Sequence, residues 1–245
     1  YLFVDGDIND QNLIFDLLSQ NQIDIIFHFA AESHVDRSIH DSSKFILTNI
    51  NGTHSLLQQS LKYLKKNFQR KNFKFIHIST DEVFGSLQDN DPPFREDNPY
   101  LPNSPYAASK ASSDLIVRSF IKTFNFPAII TNCSNNYGPY QYPEKLIPLV
   151  IYNCLQNKDI PIYGNGTQIR DWLFVEDHCS ALIQISNIGN IGESYNIGGN
   201  HEITNIELVK MICRLLDDLS PKQKGRYEDL ISHVKDRPGH DYRYA

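Results

Sequence analysis

Short apolar runs alternate with longer amphipathic segments along the first half of the chain. Runs rich in β-branched and aromatic residues predict buried β-strands at 23–30, 73–79 and 128–132. Between them, apolar residues recur at three- and four-residue spacing over about 45–70 and about 106–124, which predicts amphipathic helices. Strands that alternate with helices are typical of a parallel sheet with helices on both faces. The pattern therefore predicts the α/β class, with a doubly wound, Rossmann-type parallel sheet.

The composition and pattern of the sequence change after about residue 137. Glycine and proline become frequent, as in Gly138-Pro139 and Gly164-Asn165-Gly166, and the apolar runs shorten. This predicts an incomplete Rossmann-type region over residues 1–137 and a smaller second region over 138–245. The second region is expected to be partly interleaved with the sheet of the first.

Composition and charge narrow the classes of partner. The 245 residues suffice for one large domain or two modest ones, and 40% hydrophobic residues with 21% charged residues are typical of a globular protein. The net charge of −6 argues against nucleic-acid and membrane-surface partners, which favour a basic face. Small anionic ligands remain compatible, since a few Arg and Lys residues can hold them. The four cysteines lack CxxC spacing, so we expect reduced thiols, no metal site and a cytoplasmic location.

Tyr106 and Lys110 stand four residues apart in the second predicted helix, so the phenol and the ammonium share one face. A phenol, with a pKa of ~10, is a poor base at neutral pH unless a nearby cation favours the phenolate. Lys110 supplies such a cation, which makes Tyr106 a candidate base for a hydroxyl proton. The spacing alone is a weak signal, because it recurs by chance in many helices.

Ser79-Thr80-Asp81-Glu82 directly follows a predicted buried strand. Open α/β sheets place their sites at the carboxyl ends of strands, and two adjacent carboxyls can act as general acid and general base. The same residue types also serve as a helix N-cap with an acidic first turn. By itself the tetrapeptide leaves both interpretations open.

Taken together, these two motifs resemble the extended short-chain dehydrogenase/reductase family. Its members carry a strand that ends in Ser-Thr and, about 25 residues later, Tyr-x-x-x-Lys; the triplet Thr80-Asp81-Glu82 is similar to that of its nucleotide-sugar 4,6-dehydratases. The likeness extends over nearly the whole chain and is greatest to the bacterial dTDP-glucose 4,6-dehydratases. The further matching blocks are 30–38, 48–53, 134–141, 143–148, 169–172, 195–199 and 236–240.

The resemblance implies an NAD-dependent lyase (hydro-lyase) reaction. Tyr106 would be the base for the C4 hydroxyl of the sugar, Lys110 would hold the nicotinamide ribose, and Thr80 would hydrogen-bond the same hydroxyl. After hydride transfer from C4 to NAD+, Glu82 would remove the C5 proton while Asp81 protonates the departing C6 hydroxyl. Hydride would then return to C6, so that NAD is not consumed. Such adjacent carboxyls need environments that separate their pKa values.

The resemblance also implies two sets of binding residues. The cofactor set, besides Tyr106 and Lys110, is Asp7, Ile8, Phe29, Ala30, Ala31, Glu32, Ser33, Thr48 and Asn136. The substrate set is Ser33, Thr80, Asn135, Lys145, Leu146, Pro161, Tyr163, Arg170, Asn205, Arg237, His240 and Tyr244. Arg170 and Arg237 suit a diphosphate because guanidinium groups bind phosphate oxygens bidentately, although a lone Arg is more often a surface ion-pair partner.

Two features depart from the family pattern. The turn Gly-x-x-Gly-x-x-Gly, which lets the backbone approach the cofactor pyrophosphate, does not occur in the sequence. A βαβ unit of at least about 30 residues is therefore expected before Tyr1, and a further segment after Ala245. Phe84 stands where the family usually has Tyr, which removes one hydroxyl beside the site but no assigned role.

Several alternatives stay open. UDP-glucose is an alternative substrate to dTDP-glucose, and a 4-epimerase, a decarboxylase or a non-catalytic nucleotide-sugar-binding relative would share the fold. The Asp81-Glu82 pair argues against an epimerase, because epimerisation needs no acid at the C6 hydroxyl. The family also implies a homodimer formed through the predicted helix 106–124, whose Ile116, Phe120 and Phe124 would face the partner or equally the core.

Overall fold

The structure, a computed structural model, describes residues 1–66 and 72–245. The α-helices are α1 (Gln11–Asn21), α2 (Val35–His40), α3 (Ser43–Phe45), α4 (Thr53–Lys66), α5 (Pro105–Phe124), α6 (Leu146–Leu155), α7 (Val175–Ile188) and α8 (Asn205–Leu219). The strands are β1 (Ile25–His28), β2 (Lys74–Thr80), β3 (Ala128–Cys133), β4 (Asn135–Tyr137), β5 (Ile160–Tyr163), β6 (Ile169–Phe174), β7 (Ser194–Ile197), β8 (Glu202–Thr204), β9 (Ile231–Val234) and β10 (Arg243–Tyr244). A π-helical segment (Ile46–Gly52) joins α3 to α4, and 3-10 turns occupy Asp81–Phe84 and Tyr227–Leu230.

Two compact units alternate along the sequence. Unit 1 comprises Tyr1–Gly85, Phe94–Cys133 and Ser180–Ile197. Unit 2 comprises Ser86–Pro93, Ser134–Cys179 and Gly198–Ala245. The assignment of residues 1–137 to cofactor binding and of residues 138–245 mainly to substrate binding stays a prediction.

Unit 1 is built on a parallel sheet with the strand order β1-β2-β3-β7. This confirms the predicted α/β class and the predicted strands at 73–79 and 128–132. The strand predicted at 23–30 is shorter and is not buried throughout, since Ile25 and Phe27 are 39% and 37% exposed. Within the described residues β1 pairs with β2 alone, which leaves β1 at the edge of the sheet.

Helices of unit 1 cover this sheet. The predicted helix at about 45–70 is present from α3 through the π-helical segment to the end of α4 at Lys66, and its last predicted residues fall in 67–71, outside the described residues. The predicted helix 106–124 is α5, where Ser104 caps the first turn by accepting a hydrogen bond from the Ala107 amide. Apolar side chains of α1, α4, α5 and the sheet form one core: Leu18, Leu56, Leu57, Tyr63, Phe73, Phe75, Val117, Phe120, Phe126, Ala128 and Ile130.

Unit 2 contains a mixed sheet in which β6 pairs in parallel with β4 and β10 and antiparallel with β8. A separate parallel pair, β5 with β9, packs with α6 and α8 around a second core that includes Val150, Ile160 and Val209. Cys154 and Cys213 lie in this core as free thiols 4.0 Å apart, and burial raises the pKa of Cys213 to about 12. None of the helices in the described residues is long and apolar enough to cross a membrane.

Candidate active site

The Thr80-Asp81-Glu82 triplet lies where β2 ends and a 3-10 turn begins. Thr80 Oγ1 accepts a hydrogen bond from the Glu82 amide (3.3 Å) and donates one to Asp81 Oδ1 (3.2 Å), so the helix-cap interpretation of the tetrapeptide describes a real contact. Asp81 is buried and Glu82 is half-buried. The two neighbouring carboxyls therefore have different solvent exposure, which is the condition for separate acid and base roles.

Gly85 fixes the end of this turn. Its φ of +93° lies in the region that favours glycine, and a Cβ there would lie 2.4 Å from the carbonyl oxygen of Leu101. Phe84 packs against the rings of Phe94 and Tyr100, with centroids 5.1 and 5.3 Å away. At this position a phenyl ring fills an apolar cluster beside the turn.

Tyr106 and Lys110 both lie buried on the first turns of α5. Lys110 Nζ donates a 2.8 Å hydrogen bond to the carbonyl oxygen of Ile78, which attaches the helix to β2 near its carboxyl end. Burial lowers the pKa of Lys110, while the negative charge of Asp114 opposes that change. All five predicted catalytic residues belong to unit 1.

A buried polar cluster surrounds Asp114 on α5, one helical turn after Lys110, and it was not predicted from the sequence. Asp114, which is completely buried on α5, accepts hydrogen bonds from His77, Ser79, Tyr100 and Asn132. A signal was present in the sequence, because Asp114 stands four residues after Lys110 on the same helix face. Asp114 therefore continues the helix face of Tyr106 and Lys110 into the core.

The loop after β1, residues 29–33, carries five of the eleven predicted cofactor residues. Phe29 and Ala30 are exposed, whereas the Glu32 main chain is fixed at both its amide and its carbonyl by the side chain of Asn49 (2.8 and 3.0 Å). Asn49 also donates to Ser109 Oγ (2.8 Å), which stands between Tyr106 and Lys110 on α5. Asn49 was not among the predicted site residues, although it follows Thr48 in the matching block 48–53.

The other cofactor residues predicted in unit 1 lie near the start of the chain and in the π-helical segment. Asp7 accepts hydrogen bonds from the amide and side chain of Asn9 (2.8 and 3.0 Å). Ile8 packs so closely on Gly52 that a Cβ at Gly52 would lie 2.4 Å from its Cδ1. Thr48 is half-buried in the π-helical segment. In loop 29–33, Ala30, Ala31 and Ser33 are small residues at the carboxyl end of a parallel strand, which is where open α/β sheets bind their ligands.

In unit 2, Asn136 is held from two sides. Its Oδ1 lies 2.8 Å from His178 Nδ1, and its carbonyl accepts a 2.8 Å hydrogen bond from Gln141. Burial lowers the pKa of His178, which favours the neutral ring. Asn135 neighbours it on β4, half-buried.

A second group of predicted residues comes together in unit 2. Arg170 is buried, stacks on the ring of Tyr244 (3.9 Å) and donates to the carbonyls of Ile169, Asp241 and Tyr242. His240 contacts the ring of Tyr163 (6.0 Å between centroids). The carboxylate of Asp236 lies 2.7 Å from His240 Nδ1, yet burial together with the charge of Arg237 lowers the pKa of His240 to about 4.

The remaining predicted substrate residues lie at element ends or on an open face. Lys145 and Leu146 are at the N-terminus of α6, and Asn205 is the first residue of α8. Pro161 is exposed on β5, on the same face of the strand as Tyr163. Ser33 is exposed in the loop after β1, in unit 1.

Comparisons with known proteins agree over the whole chain. The sequence profile of the GDP-mannose 4,6 dehydratase family matches residues 1–245. The dTDP-glucose 4,6-dehydratase of Neisseria meningitidis serogroup B is 54% identical over 100% of this chain and 70% of its own length. A crystal structure of the dTDP-glucose 4,6-dehydratase of Streptomyces venezuelae, with NAD bound, superposes with a TM-score of 0.88 at 44% identity over 99% of this chain and 70% of that one.

A second kind of structural relative is more distant. The UDP-glucuronic acid 4-epimerase of Bacillus cereus, solved with UDP-glucuronic acid and NAD, has a TM-score of 0.85 but only 28% identity, over 99% of this chain and 71% of that one. The fold is therefore shared between the two enzyme classes. The two classes therefore have to be distinguished by the residues of the site.

Proposed function

Because this chain belongs to the GDP-mannose 4,6 dehydratase family, we propose that it is an NAD-dependent hydro-lyase that converts dTDP-glucose into the 4-keto-6-deoxy sugar and water. The 54% identity to a dTDP-glucose 4,6-dehydratase, across the full length of the chain, supports this substrate. The observation that carries the proposal is the position of Asp81 and Glu82 at the carboxyl end of β2, in the same unit as Tyr106 and Lys110. An epimerase would need the second pair and not the first.

The residues around loop 29–33 would hold NAD through its ribose and phosphate groups, as would Lys110. When bound, NAD+ supplies the acceptor for the hydride from sugar C4 and gives it back to C6, so the net reaction is a dehydration. In this chain, Asn49 keeps the Glu32 main chain attached to Ser109 on α5. The loop that would bind cofactor and the helix that carries the base are thereby joined within unit 1.

Tyr106, Lys110 and Thr80 would promote the oxidation at C4. Tyr106 would take the proton of the C4 hydroxyl, helped by the neighbouring ammonium of Lys110. Thr80 Oγ1 would hydrogen-bond the same hydroxyl and orient it. The ketone formed at C4 acidifies the proton at C5, which prepares the second half of the reaction.

The elimination falls to the adjacent carboxyls. Glu82, which is half-buried, would remove the C5 proton, and the buried Asp81 would protonate the C6 hydroxyl as it leaves. Burial favours the protonated form of a carboxyl, so the deeper residue suits the acid role. The proton that Glu82 took would return to C5 when hydride reaches C6. Tyr106 would release the proton of the C4 hydroxyl to solvent and Asp81 would take one up, which restores both groups and balances the reaction.

The residues of unit 2 would bind the nucleoside diphosphate. Arg170 uses three of its five N–H donors on main-chain carbonyls, which leaves the Nε–H and one Nη2 hydrogen for phosphate oxygens among the hydrogen bonds of the described residues. The Arg237 amide donates to Asp236 Oδ1, which also lies within hydrogen-bond distance of His240 Nδ1, and the His240 ring contacts the ring of Tyr163. A guanidinium held this rigidly loses little entropy when it binds an anion.

A homodimer in the cytoplasm completes the proposal. The absence of CxxC spacing among the cysteines supports the location. On α5, Leu115 is 56% exposed, which supports an apolar contact with a second copy; Phe124 is 46% exposed but lies nine residues away, on the opposite side of the helix. Phe120 is instead buried in the core and Ile116 packs against it, so these two do not contribute an exposed surface. Sedimentation velocity of the protein would show a dimer if the proposal is right and a monomer if it is wrong.

The proposed reaction is tested by incubating the protein, expressed from its complete reading frame, with NAD+ and either dTDP-glucose or UDP-glucose. Mass spectrometry of the product distinguishes the outcomes. Loss of one water from dTDP-glucose, faster than from UDP-glucose, is expected. Loss of water at equal or greater speed from UDP-glucose would replace the nucleoside, and an isomerised sugar of unchanged mass would overturn the dehydratase assignment.

A further inference from the structure

Asp114 is a fully buried acidic residue that the proposed reaction does not use. Its Oδ1 accepts a hydrogen bond from His77 Nε2 (3.0 Å). Its Oδ2 accepts from Ser79 Oγ (2.8 Å) and Tyr100 Oη (2.9 Å), with Asn132 Nδ2 at 3.4 Å. Four donors from three other parts of unit 1 therefore converge on one carboxyl group.

All four neighbours present a hydrogen-bond donor to this carboxyl, which suits an ionised carboxylate because it can only accept. Burial lowers the pKa of His77, so its ring is neutral and gives Nε2–H to Asp114 as a hydrogen bond rather than as a cation. Burial, together with the negative charge of Asp114, raises the pKa of Tyr100, which keeps its phenol protonated as a donor.

The donors on Asp114 are attached to the catalytic residues. Ser79 immediately precedes Thr80, and Asn132 donates a second hydrogen bond to the Thr80 carbonyl (3.1 Å). Lys110 stands one helical turn before Asp114 and donates to the carbonyl of Ile78 in the same strand. The end of β2 and the first turns of α5 are thus connected through this one side chain.

We propose that Asp114 is a positioning residue for the reaction: its buried carboxylate holds the Thr80 end of β2 against α5 and supplies the negative charge that keeps Lys110 protonated beside Tyr106. This inference rests on the proposed function, because it assigns a role within the same site. It requires the charge of Asp114 and not merely its shape.

The charge requirement follows from the groups that face Lys110. These are His28 from β1, His77 from β2, Cys133 from β3 and Asp114 from α5 itself. Both histidines have lowered pKa values and are neutral, and a thiol is largely neutral at pH 7. Asp114 is therefore the carboxylate in this set that offsets the burial of the Lys110 ammonium.

The variant Asp114→Asn removes the charge and can keep the shape. The new amide nitrogen, placed where Oδ1 lies, would face His77 Nε2, and His77 can accept from it by moving its proton to Nδ1. Among the described residues His77 Nδ1 has no hydrogen-bond partner, and the change of tautomer affects only the long contact (3.4 Å) between His77 Nε2 and Ser113 Oγ. Asp217→Asn is a matched control, because Asp217 also lies on a helix and accepts one hydrogen bond, from the Tyr227 amide (3.0 Å), in unit 2.

The first measurement needs neither cofactor nor substrate. In protein labelled with ¹³C at lysine Cε, the NMR signal of Lys110, assigned by its loss in Lys110→Met, is followed as a function of pH. We expect its titration midpoint to fall by about one pH unit or more in Asp114→Asn and to stay unchanged in Asp217→Asn. An unchanged midpoint in Asp114→Asn would overturn the proposed charge, whether or not the protein proves to be a dehydratase.

The second measurement is the steady-state turnover of dTDP-glucose. Turnover by the wild type tests the proposed function, and the variants are then compared with it. We expect kcat of Asp114→Asn to fall by roughly 10- to 100-fold with KM within about threefold, and the alkaline limb of its pH profile to move to lower pH. Should Asp114→Asn not fold, Ser79→Ala keeps the carboxylate and removes the donor next to Thr80. It should lower kcat without moving the Lys110 titration, and wild-type kinetics in that variant would contradict the positioning role.

Discussion

The two units satisfy buried charges with different partners. Unit 1 buries Lys110, Asp81 and Asp114, and the carboxylate of Asp114 is surrounded by side chains: His77, Ser79, Tyr100 and Asn132. Unit 2 buries Asp171, Asp241, Arg170 and Arg243, and its two buried guanidinium groups donate largely to main-chain carbonyls. The acceptors are those of Ile169, Asp241 and Tyr242 for the first and Gln88 and Asp91 for the second.

The difference indicates what each arrangement is suited to do. A carboxylate satisfied by side chains can orient several neighbouring groups at once, which matters where chemistry depends on their placement. A guanidinium satisfied by carbonyls fixes the path of the main chain, here the segment 86–93 and the C-terminal residues 241–243. We therefore expect substitutions in the catalytic end of unit 1 to act on kcat and those in unit 2 to act on stability or KM.

The largest effect is expected from Tyr106→Phe, which removes the proposed base while keeping the buried ring. Loss of a general base costs about 10²- to 10⁴-fold in rate, so kcat for dTDP-glucose should fall by roughly a thousandfold with little change in KM. Steady-state kinetics measure both. A fall of less than about tenfold would mean that another group takes the C4 hydroxyl proton.

Arg243→Met should produce the largest loss of stability. Arg243 is 8% exposed and makes a two-pronged contact with Glu202, at 2.5 and 2.9 Å. Removing one partner of a buried ion pair costs about 3–5 kcal/mol. Because the Glu202 side chain is partly exposed, we expect the free energy of unfolding to fall by the lower value, about 3 kcal/mol. Urea unfolding measures it.

Arg214→Met is the control for that loss. Arg214 pairs with Glu228 at 3.0 Å, but its side chain is 69% exposed. Exposed pairs contribute roughly 0–1 kcal/mol. Equal destabilisation by the two substitutions would contradict the view that Arg243 matters through its burial.

Arg170→Lys should affect substrate binding more than catalysis. A lysine cannot reproduce the planar contacts of Arg170 with three carbonyls and the Tyr244 ring, so the cation would lose its fixed position. We expect KM for dTDP-glucose to rise about tenfold with kcat within about threefold. An unchanged KM would assign Arg170 to structure alone.

A loss of stability in acid is also expected. The pKa values of His28, His77 and His240 lie below the ordinary value, that of His240 at about 4, so the unfolded chain binds more protons than the folded one below pH of about 6.5. The free energy of unfolding should therefore be constant above that pH and fall as pH decreases, by at most about 1.4 kcal/mol per pH unit for each histidine. Urea midpoints at pH 7.5 and 5.0 measure this, and His240→Gln should reduce the difference. A midpoint that rises in acid would contradict the assigned directions.

The elements that carry the candidate catalytic residues of unit 1 were largely predictable from the sequence. Strands β2 and β3 have continuous apolar patterns, and Tyr106 with Lys110 shows helical spacing. Asp114 and Asn49 were missed because a single polar residue in a helix does not reveal its partners, which come from β2, β3 and loop 29–33. Local patterns cannot report contacts between residues far apart in sequence.

Unit 2 was less predictable, again for a physical reason. Strands such as β4, β8 and β10 have only two or three residues, too short for an alternating pattern to emerge. The stacking of Arg170 on Tyr244 joins residues more than seventy positions apart. The resemblance identified these residues as a set, and the structure shows which of them touch.

The fate of the C5 proton tests the central claim most directly. dTDP-glucose is turned over in D₂O by the wild-type enzyme, and mass spectrometry and proton NMR of the product are recorded. The account predicts a product that has lost one water and carries deuterium at C5, because Glu82 removes the original proton and returns one that has exchanged with solvent; Glu82→Gln should form this product at least about a hundredfold more slowly. A product of unchanged mass, or Glu82→Gln with the wild-type rate, would contradict the assignment of the elimination to this carboxyl.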